Sequence, residues 1–286
     1  MNIEKFKVTG KKQFLLTDFD TKDTVGYSSS DSVKNIIKEN IREISLLQSK
    51  LYADGKAALL IIFQAMDAAG KDSAIQHVMS GINPQGVQVF NFKQPSSEEL
   101  SHDYLWRAVK VLPARGQIAI FNRSYYEDVL VVKVHKLYEQ LKIAERCKTK
   151  DTITKRYKQI KNFEDYLWEN GIVTVKFFLH LSKDAQRKRF LERIDNKDKN
   201  WKFSDSDIKE RAYWDDYQEA YQEAIKATAT RNNPWYIIPA DKKWFSRAII
   251  SNILLQVMKE INPQYPVITK EQEMMLEDSK RKLNEL

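Results

Sequence analysis

Five short apolar runs, separated by stretches with helical spacing, constrain the fold of this chain more than any other feature. Most of the runs are rich in β-branched or aromatic residues, and they cover residues 58–64, 87–92, 117–122, 172–181 and 235–238. Short apolar runs of this kind are typical of strands that are buried on both faces. Their alternation with helices predicts an α/β fold of three layers, in which helices cover both faces of a mostly parallel five-stranded sheet.

The segments outside these runs predict the domain organisation. Residues 1–30 are polar and turn-rich, and we expect a loosely held N-terminal arm. A helix capped by Ser30 or Asp31 follows, with an apolar face from Val33 to Leu51. We expect one domain over residues 31–268 and a charged C-terminal tail helix over residues 269–286.

Composition narrows the class of protein. The 286 residues include 47 basic and 39 acidic side chains, a net charge of +8 that favours an anionic partner without identifying it. Cys147 is the only cysteine, which excludes an intrachain disulfide and a cysteine-rich zinc site. The longest apolar run, residues 57–63, is too short to span a bilayer, and the first residues lack the apolar stretch of a secretory signal. We expect a soluble cytoplasmic protein without a membrane partner.

The loop after the first predicted strand has the context of a phosphate-binding loop. The strand runs into small residues (Ala68, Ala69, Gly70), then Lys71, and a helix follows. Small residues let backbone N–H groups close around phosphate oxygens, and the helix N-terminus adds partial positive charge. The usual pattern has Gly where this chain has Ala65, and Ser or Thr at Asp72, whereas Ser73 comes one place later. An ordinary strand-to-helix turn that contains Gly-Lys by chance is the alternative.

Asp67 lies inside this loop, where a carboxylate is unfavourable next to phosphates. A carboxylate in this position is useful if it holds a metal ion or orients the acceptor. We therefore interpret Asp67 as a functional residue.

A second group of polar residues follows the strand at 117–122. Ligands gather at the carboxyl ends of parallel strands, so Arg123 is placed to contact phosphate in a bidentate way. Glu127 or Asp128 could support Mg²⁺ through water, but acids in the first turn of a helix capped by Ser124 are explained equally well by capping. Arg123 has no such explanation, because a cation at a helix N-terminus opposes the helix dipole.

A basic segment at residues 183–211 resembles a lid. It contains ten basic and seven acidic residues. Arg189 and Arg193 are neighbours of like charge on one helix, which is unfavourable unless a dense anion lies close by. A solvated helix face is the alternative, but beside a phosphate loop the segment predicts a mobile cover that supplies cations.

Several motifs together resemble the polyphosphate kinase 2 family, in the right order from about residue 30 to about residue 260. They are MDAAGKDSAIQHVMSGINPQG, LWR at 105–107, LPARGQIAIFNRSYYEDVLVVKVH, QRKRFLERI, NWKFS, DIKERAYWDDY and PWYIIPAD. The form FNRSYYEDVLVVKVH is similar to the branch that accepts both nucleoside mono- and diphosphates. Other branches carry Asp where this chain has Asn122.

The resemblance implies a P-loop kinase-like fold with a helical lid. It also implies reversible phosphoryl transfer between inorganic polyphosphate and purine nucleotides (ADP/ATP, AMP, GDP/GTP), with Mg²⁺ or Mn²⁺, in a homodimer or homotetramer. It implies that Asp67 positions the metal and the acceptor phosphate, and that Lys71 and Arg123 hold phosphates. Further phosphate- or nucleotide-binding positions would be Ala68, Ala69, Gly70, Asp72, Ser73, Asn122 and Tyr126. The lid residues expected to face polyphosphate are Arg187, Arg189, Arg193 and Lys202.

Two other functions compete with this interpretation. An ordinary ATP-dependent nucleotide or small-molecule kinase would use the same loop with ATP as its donor. A non-catalytic nucleic-acid-binding protein would explain the charge of +8. The sequence has no recognisable nucleic-acid-binding motif and its basic residues interleave with acids, so we expect no nucleic-acid partner.

Asp67→Asn tests the acid in the loop. We expect turnover to fall by orders of magnitude, because the amide no longer offers a carboxylate to the metal ion or the acceptor. Phosphoryl-transfer rates and the circular dichroism spectrum of the variant are the measurements. A well-folded variant with near-normal turnover would contradict the role assigned to Asp67.

Overall fold

The structure is a computed structural model that describes residues 1–10, 13–141 and 143–285, with Lys202 described by its backbone alone. Its described part contains one mixed sheet of six strands in the spatial order β1-β6-β5-β2-β4-β3. The strands are β1 Lys7–Val8, β2 Ala58–Ala65, β3 Val87–Asn91, β4 Ile118–Asn122, β5 Ile172–His180 and β6 Trp235–Pro239.

Five of these strands are the predicted ones, and they pair in parallel. The predicted count of five is wrong by one strand. Lys7 and Val8 add a sixth strand that pairs antiparallel with β6 at the edge of the sheet. A strand of two residues is too short to show an alternating pattern, so the sequence gives no sign of it.

Helices cover the sheet on both faces. They are α1 Asp31–Asp54, α2 Lys71–Val78, α3 Ser97–Ser101, α4 Trp106–Val109, α5 Val131–Val134, α6 Thr152–Glu169, α7 Lys183–Asp195, α8 Asp205–Ala212, α9 Trp214–Thr228, α10 Lys243–Ile261 and α11 Lys270–Asn284. Short 3-10 helices include Tyr125–Asp128 and Lys197–Lys202. None of the helices in the described ranges combines the length and the apolar character needed to cross a bilayer.

The central strand β2 divides the core in two. Its residues are all buried, and alternate side chains enter different clusters because a strand has a period of two. Leu59 and Ile61 pack in a cluster with side chains of α1, α2 and α10. Leu60 and Ile62 pack in a second cluster with side chains of α6 and α9. The predicted three-layer arrangement follows from this alternation.

The N-terminal segment packs on the body of the protein, in contrast to the loosely held arm that we predicted. Phe6, Val8, Phe14 and Leu16 are buried. Thr21 Oγ1 donates a hydrogen bond to Asp241 Oδ2 at 3.1 Å. Isolated apolar residues in a polar segment carry no periodic signal, and only the partner surface makes their burial favourable.

A buried polar network connects the middle of β5 with α6 and with the segment that follows β4. The ammonium of Lys176 pairs with the Glu164 carboxylate, and both side chains are fully inaccessible. The hydroxyls of Tyr125 and Tyr126 donate to Glu164 at 2.9 and 2.8 Å. Burial raises the pKa of Glu164 and lowers that of Lys176, so each charge depends on the other and on these hydrogen bonds.

Lys176→Met is expected to reduce the free energy of unfolding by about 3–5 kcal/mol, because it leaves a buried carboxylate without its counter-charge. Urea denaturation measures the effect. Lys161→Met is the matched control, since Lys161 forms a half-exposed pair with Asp165 at 2.8 Å and its loss should cost less than about 1 kcal/mol.

The double variant Lys176→Met/Glu164→Gln removes both charges and keeps an acceptor for the tyrosines. We expect it to be more stable than Lys176→Met alone. A double variant less stable than the single one would show that the pair does not act through charge compensation.

Candidate active site

The phosphate loop connects β2 to α2 at the carboxyl edge of the sheet. Ala68 and Gly70 both have positive φ angles, of 61° and 97°. The left-handed conformation at Gly70 suits a residue without Cβ, and it turns the chain directly into α2 at Lys71. The strand–loop–helix order inferred from the sequence is therefore present, with Ala65 as the last residue of β2.

Lys71 is buried at the base of the loop. Its Nζ donates to the backbone oxygen of Ala65 at 3.0 Å. Burial lowers its pKa first and the charge of Arg123 lowers it further, while Asp67 opposes both effects. The ammonium therefore gains from any additional anion that enters the loop.

Arg123 connects the loop to the end of β4. Its Nη2 donates to Asp67 Oδ1 at 2.7 Å, and its Nη1 lies 3.4 Å from Glu127 Oε2. The pKa of Arg123 is raised, chiefly by Glu127 and also by Asp67, against the effect of burial. A guanidinium held between two carboxylates keeps a fixed position beside the loop.

Asn122 joins three elements at the same edge. Its Nδ2 donates to Asp72 Oδ1 and to Asn91 Oδ1, both at 2.8 Å. The bonds link the ends of β4 and β3 to the first turn of α2. Ser73, in that first turn, accepts a hydrogen bond from Arg247 of α10 at 2.6 Å.

Two of the predicted site residues point away from this edge. Tyr126 is buried and donates to Glu164, so its hydroxyl belongs to the network behind the sheet. Asp128 lies 3.2 Å from Arg156 Nη1, and burial raises its pKa to about 6 against the opposing effect of Arg156. Of the two acids proposed for metal support, only Glu127 therefore lies next to Arg123.

The predicted lid cations take three different environments. Arg187 is exposed and pairs with Asp184 at 3.1 Å within α7. Arg193 lies 3.3 Å from Asp207 of α8 and lines the cleft above the loop. Arg189 is buried and donates to backbone oxygens of the loop, including that of Ala69 at 2.8 Å. The side chain of Lys202 lies outside the described part of the structure.

One large cleft runs along the loop, with a volume of about 1190 Å³. Eight basic and three acidic residues line it within the described part of the chain. The cations include Lys71 and Arg123 and, from the lid segment (residues 183–211), Arg189, Arg193 and Lys199.

Sequence reasoning missed the other three cations, Lys93, Lys243 and Arg247. Lys93 follows β3, and the other two lie four residues apart at the start of α10, which follows β6. The rule that ligands gather at the carboxyl ends of parallel strands would have pointed to all three.

The carboxylates of the cleft fit a divalent metal ion of the Mg²⁺ type. Within the residues described, no group of three or more His, Cys, Asp or Glu side chains is arranged to hold a metal by itself. Mg²⁺ is usually held by one or two carboxylates together with substrate phosphates and water. Asp67 and Asp72 both line the cleft beside the loop, and they provide such a donor set.

Comparison with known proteins agrees with the predicted resemblance. The sequence profile of the family Polyphosphate kinase 2 (PPK2) matches residues 27–266. An ADP-polyphosphate phosphotransferase of Rhodopseudomonas palustris is 48% identical over 268 residues, which are 93% of each chain. An AMP/ADP-polyphosphate phosphotransferase of Meiothermus ruber is 42% identical over 265 residues, 92% of this chain and 96% of the other.

A solved structure is similar over nearly the whole length. The crystal structure of Polyphosphate Kinase 2 from Arthrobacter aurescens TC1 matches with a TM-score of 0.85 and 38% sequence identity, covering 95% of both chains. The family predicted from the motifs is confirmed, and the chain belongs to the polyphosphate kinase 2 family.

Proposed function

We propose that this chain is a polyphosphate:nucleotide phosphotransferase with a P-loop kinase-like core. The observation that carries the proposal is the cleft, which among the described residues is lined by eight cations and three carboxylates. One nucleotide would need only part of this charge, whereas two polyanions held end to end would use most of it. The names of the two similar phosphotransferases support the same pair of substrates.

Crowding of the cations supports a polyanionic ligand. Partial burial lowers the pKa of Lys243 first, and the nearby charges of Arg189, Lys199 and Arg247 lower it further. Like charges this close repel one another at neutral pH. A polyphosphate chain laid along the cleft would turn that repulsion into attraction, and this gain would drive binding.

In the proposed mechanism the residues align two phosphates and neutralise their charge. An oxygen of the acceptor nucleotide phosphate attacks the terminal phosphorus of polyphosphate in line, and the bond to the shortened chain breaks. Lys71, Arg123 and Arg193 hold phosphate oxygens, and backbone N–H groups of the loop close around them. Asp67 positions the acceptor and, with Asp72 or Glu127, would hold a Mg²⁺ or Mn²⁺ ion that neutralises further charge.

Residues 183–211 would act as the lid over a core of residues 31–268, excluding water during transfer. Acceptors would be purine nucleoside mono- and diphosphates, in keeping with Asn122 and the motif around it. A cytoplasmic location and assembly as a homodimer or homotetramer stay predictions. The apolar face of α1 packs inside the chain, where Ile44 and Leu51 are buried, so these residues are not available as a subunit contact.

Product analysis tests the function directly. The protein is incubated with Mg²⁺, polyphosphate and separately AMP, ADP, GMP or GDP, and the nucleotides are separated by chromatography. We expect AMP to give ADP and ADP to give ATP, with loss of both reactions when the divalent ion is chelated. Phosphorylation of an acceptor with ATP as donor and none with polyphosphate would favour an ordinary nucleotide kinase instead.

Two neighbouring lysines test the cleft. Lys243→Gln is expected to raise the KM for polyphosphate several-fold and to leave kcat nearly unchanged, because Lys243 lies outside the phosphate loop and contributes ground-state attraction. Lys242→Gln is the matched control, since Lys242 is also exposed but lies outside the residues that line the cleft. Equal KM values for the two variants and the wild type would contradict the path proposed for polyphosphate.

A further inference from the structure

Two side chains on one face of α7 donate hydrogen bonds to backbone carbonyl oxygens of the phosphate loop. Gln186 Nε2 donates to the carbonyl of Asp67 at 3.0 Å. Arg189 Nη1 donates to the carbonyls of Ala68 and Ala69 at 3.0 and 2.8 Å. Three successive carbonyls of the loop are thus bound by two side chains that lie three residues apart on one helix.

The second guanidinium nitrogen of Arg189 extends the contact to the neighbouring strand. Nη2 donates to the carbonyl of Ala240 and, at 3.2 Å, to that of Asp241, directly after β6. The Asp241 carboxylate in turn accepts from the backbone N–H of Ser182, the residue before α7, at 2.8 Å. Arg189 is buried and its donors are directed to these carbonyls, which differs from the polyphosphate contact expected from the sequence.

These contacts fix the direction of the loop's peptide groups. A trans peptide directs its N–H opposite to its C=O, so binding the Ala69 carbonyl also sets the direction of the Gly70 N–H. The positive φ at Ala68 is unfavourable for a residue with Cβ, and it persists only where surrounding contacts favour it. The pair on α7 provides such contacts on the carbonyl side of the loop, opposite to the direction of its N–H groups.

We propose that Gln186 and Arg189 are positioning residues that hold the phosphate loop in its binding conformation through its carbonyls and couple that conformation to α8, the second α-helix of the lid segment. Arg211 of α8 donates to Gln186 Oε1 at 2.9 Å and to the carbonyl of Lys183 at 2.7 Å. A movement of α8 therefore reaches the Asp67 carbonyl through one intermediate side chain. The inference rests on the proposed function for its kinetic consequence, but the structural coupling can be measured without turnover.

The experiment compares Arg189→Gln and Arg189→Lys with Lys188→Gln in the full-length protein. Lys188 is the adjacent exposed cation of α7, paired with Asp184 at 3.1 Å, and its variant removes one charge without touching the loop. In both Arg189 variants we expect kcat to fall about 100-fold, because a displaced loop misaligns the phosphates. The KM for polyphosphate should change by less than about threefold, because no phosphate contact is lost.

Lysine retains the positive charge of Arg189 but has a single nitrogen, which cannot bind all four carbonyls. Arg189→Lys therefore separates the effect of the charge from the effect of the hydrogen-bond geometry. Hydrogen–deuterium exchange of residues 66–74 provides the readout without turnover, and we expect faster exchange in both Arg189 variants and wild-type exchange in Lys188→Gln. Gln186→Leu, which removes the contacts of Gln186 with Asp67 and Arg211 and leaves those of Arg189, should show the same changes to a smaller degree. If the Arg189 variants unfold, kcat and the exchange rates of Gln186→Leu test the proposal instead.

Wild-type kcat in Arg189→Lys would overturn the proposal, as would a loss confined to the KM for polyphosphate with unchanged exchange. Either result would mean that Arg189 acts on the substrate by its charge. If the wild-type protein transfers no phosphoryl group from polyphosphate, the proposed function fails. The exchange rates would still establish or overturn the positioning of the loop by α7.

Discussion

The parallel pairing of β2 with β4 and β5 is the constraint on which the rest of the structure depends. The register brings Phe63 opposite Asn122 on one side and Ala65 opposite Leu179 on the other, so all three strands end at one edge. Each strand is followed by a segment that contributes different residues to the site. The phosphate loop follows β2, Arg123 follows β4, and α7 follows β5 after a short connection. Residues that are distant in the chain meet there because the sheet aligns its ends.

The pairing of cations with carboxylates determines which charges at that edge are already compensated. Asp67 and Glu127 lie on two sides of Arg123, and they raise its pKa while holding it in place. Burial lowers the pKa of Lys243 first, and the charges of Arg189, Lys199 and Arg247 lower it further, against the opposing effect of Glu192. A polyanion near Lys243 would relieve this repulsion, whereas Arg123 already has two carboxylate partners. Preorganised charge of this kind is what phosphoryl transfer requires.

The segment after β4 shows how one short motif serves both sides of the sheet edge. Successive residues of the 3-10 helix Tyr125–Asp128 are about 120° apart, so they cannot all face the cleft. Glu127 turns toward Arg123, whereas Tyr126 joins the buried network of Lys176 and Glu164. The inward residues anchor the motif in the core, and the anchor fixes the position of the outward ones. The buried charges behind the site thus support its geometry from a distance.

The sequence by itself determined the features that depend on local pattern. The five parallel strands follow from their apolar runs, the loop from its small residues and Lys71, and Arg123 from its place after a strand. Residues 183–195 were recognised as basic, but their pattern alone could not say where each cation points. Arg187 faces solvent on one side of α7, whereas Arg189 and Arg193 lie four residues apart on the other side, where Arg189 binds loop carbonyls and Arg193 pairs with Asp207 beside the cleft.

Only the tertiary structure decided features that need a partner from elsewhere in the chain. Strand β1 exists because β6 offers an open edge. The sequence made Asp128 and Glu127 equal candidates for metal support, and the structure separates them because Asp128 pairs with Arg156 in the interior. The direction of a charged side chain depends on which neighbours offset its desolvation, and those neighbours are set by packing rather than by adjacent residues.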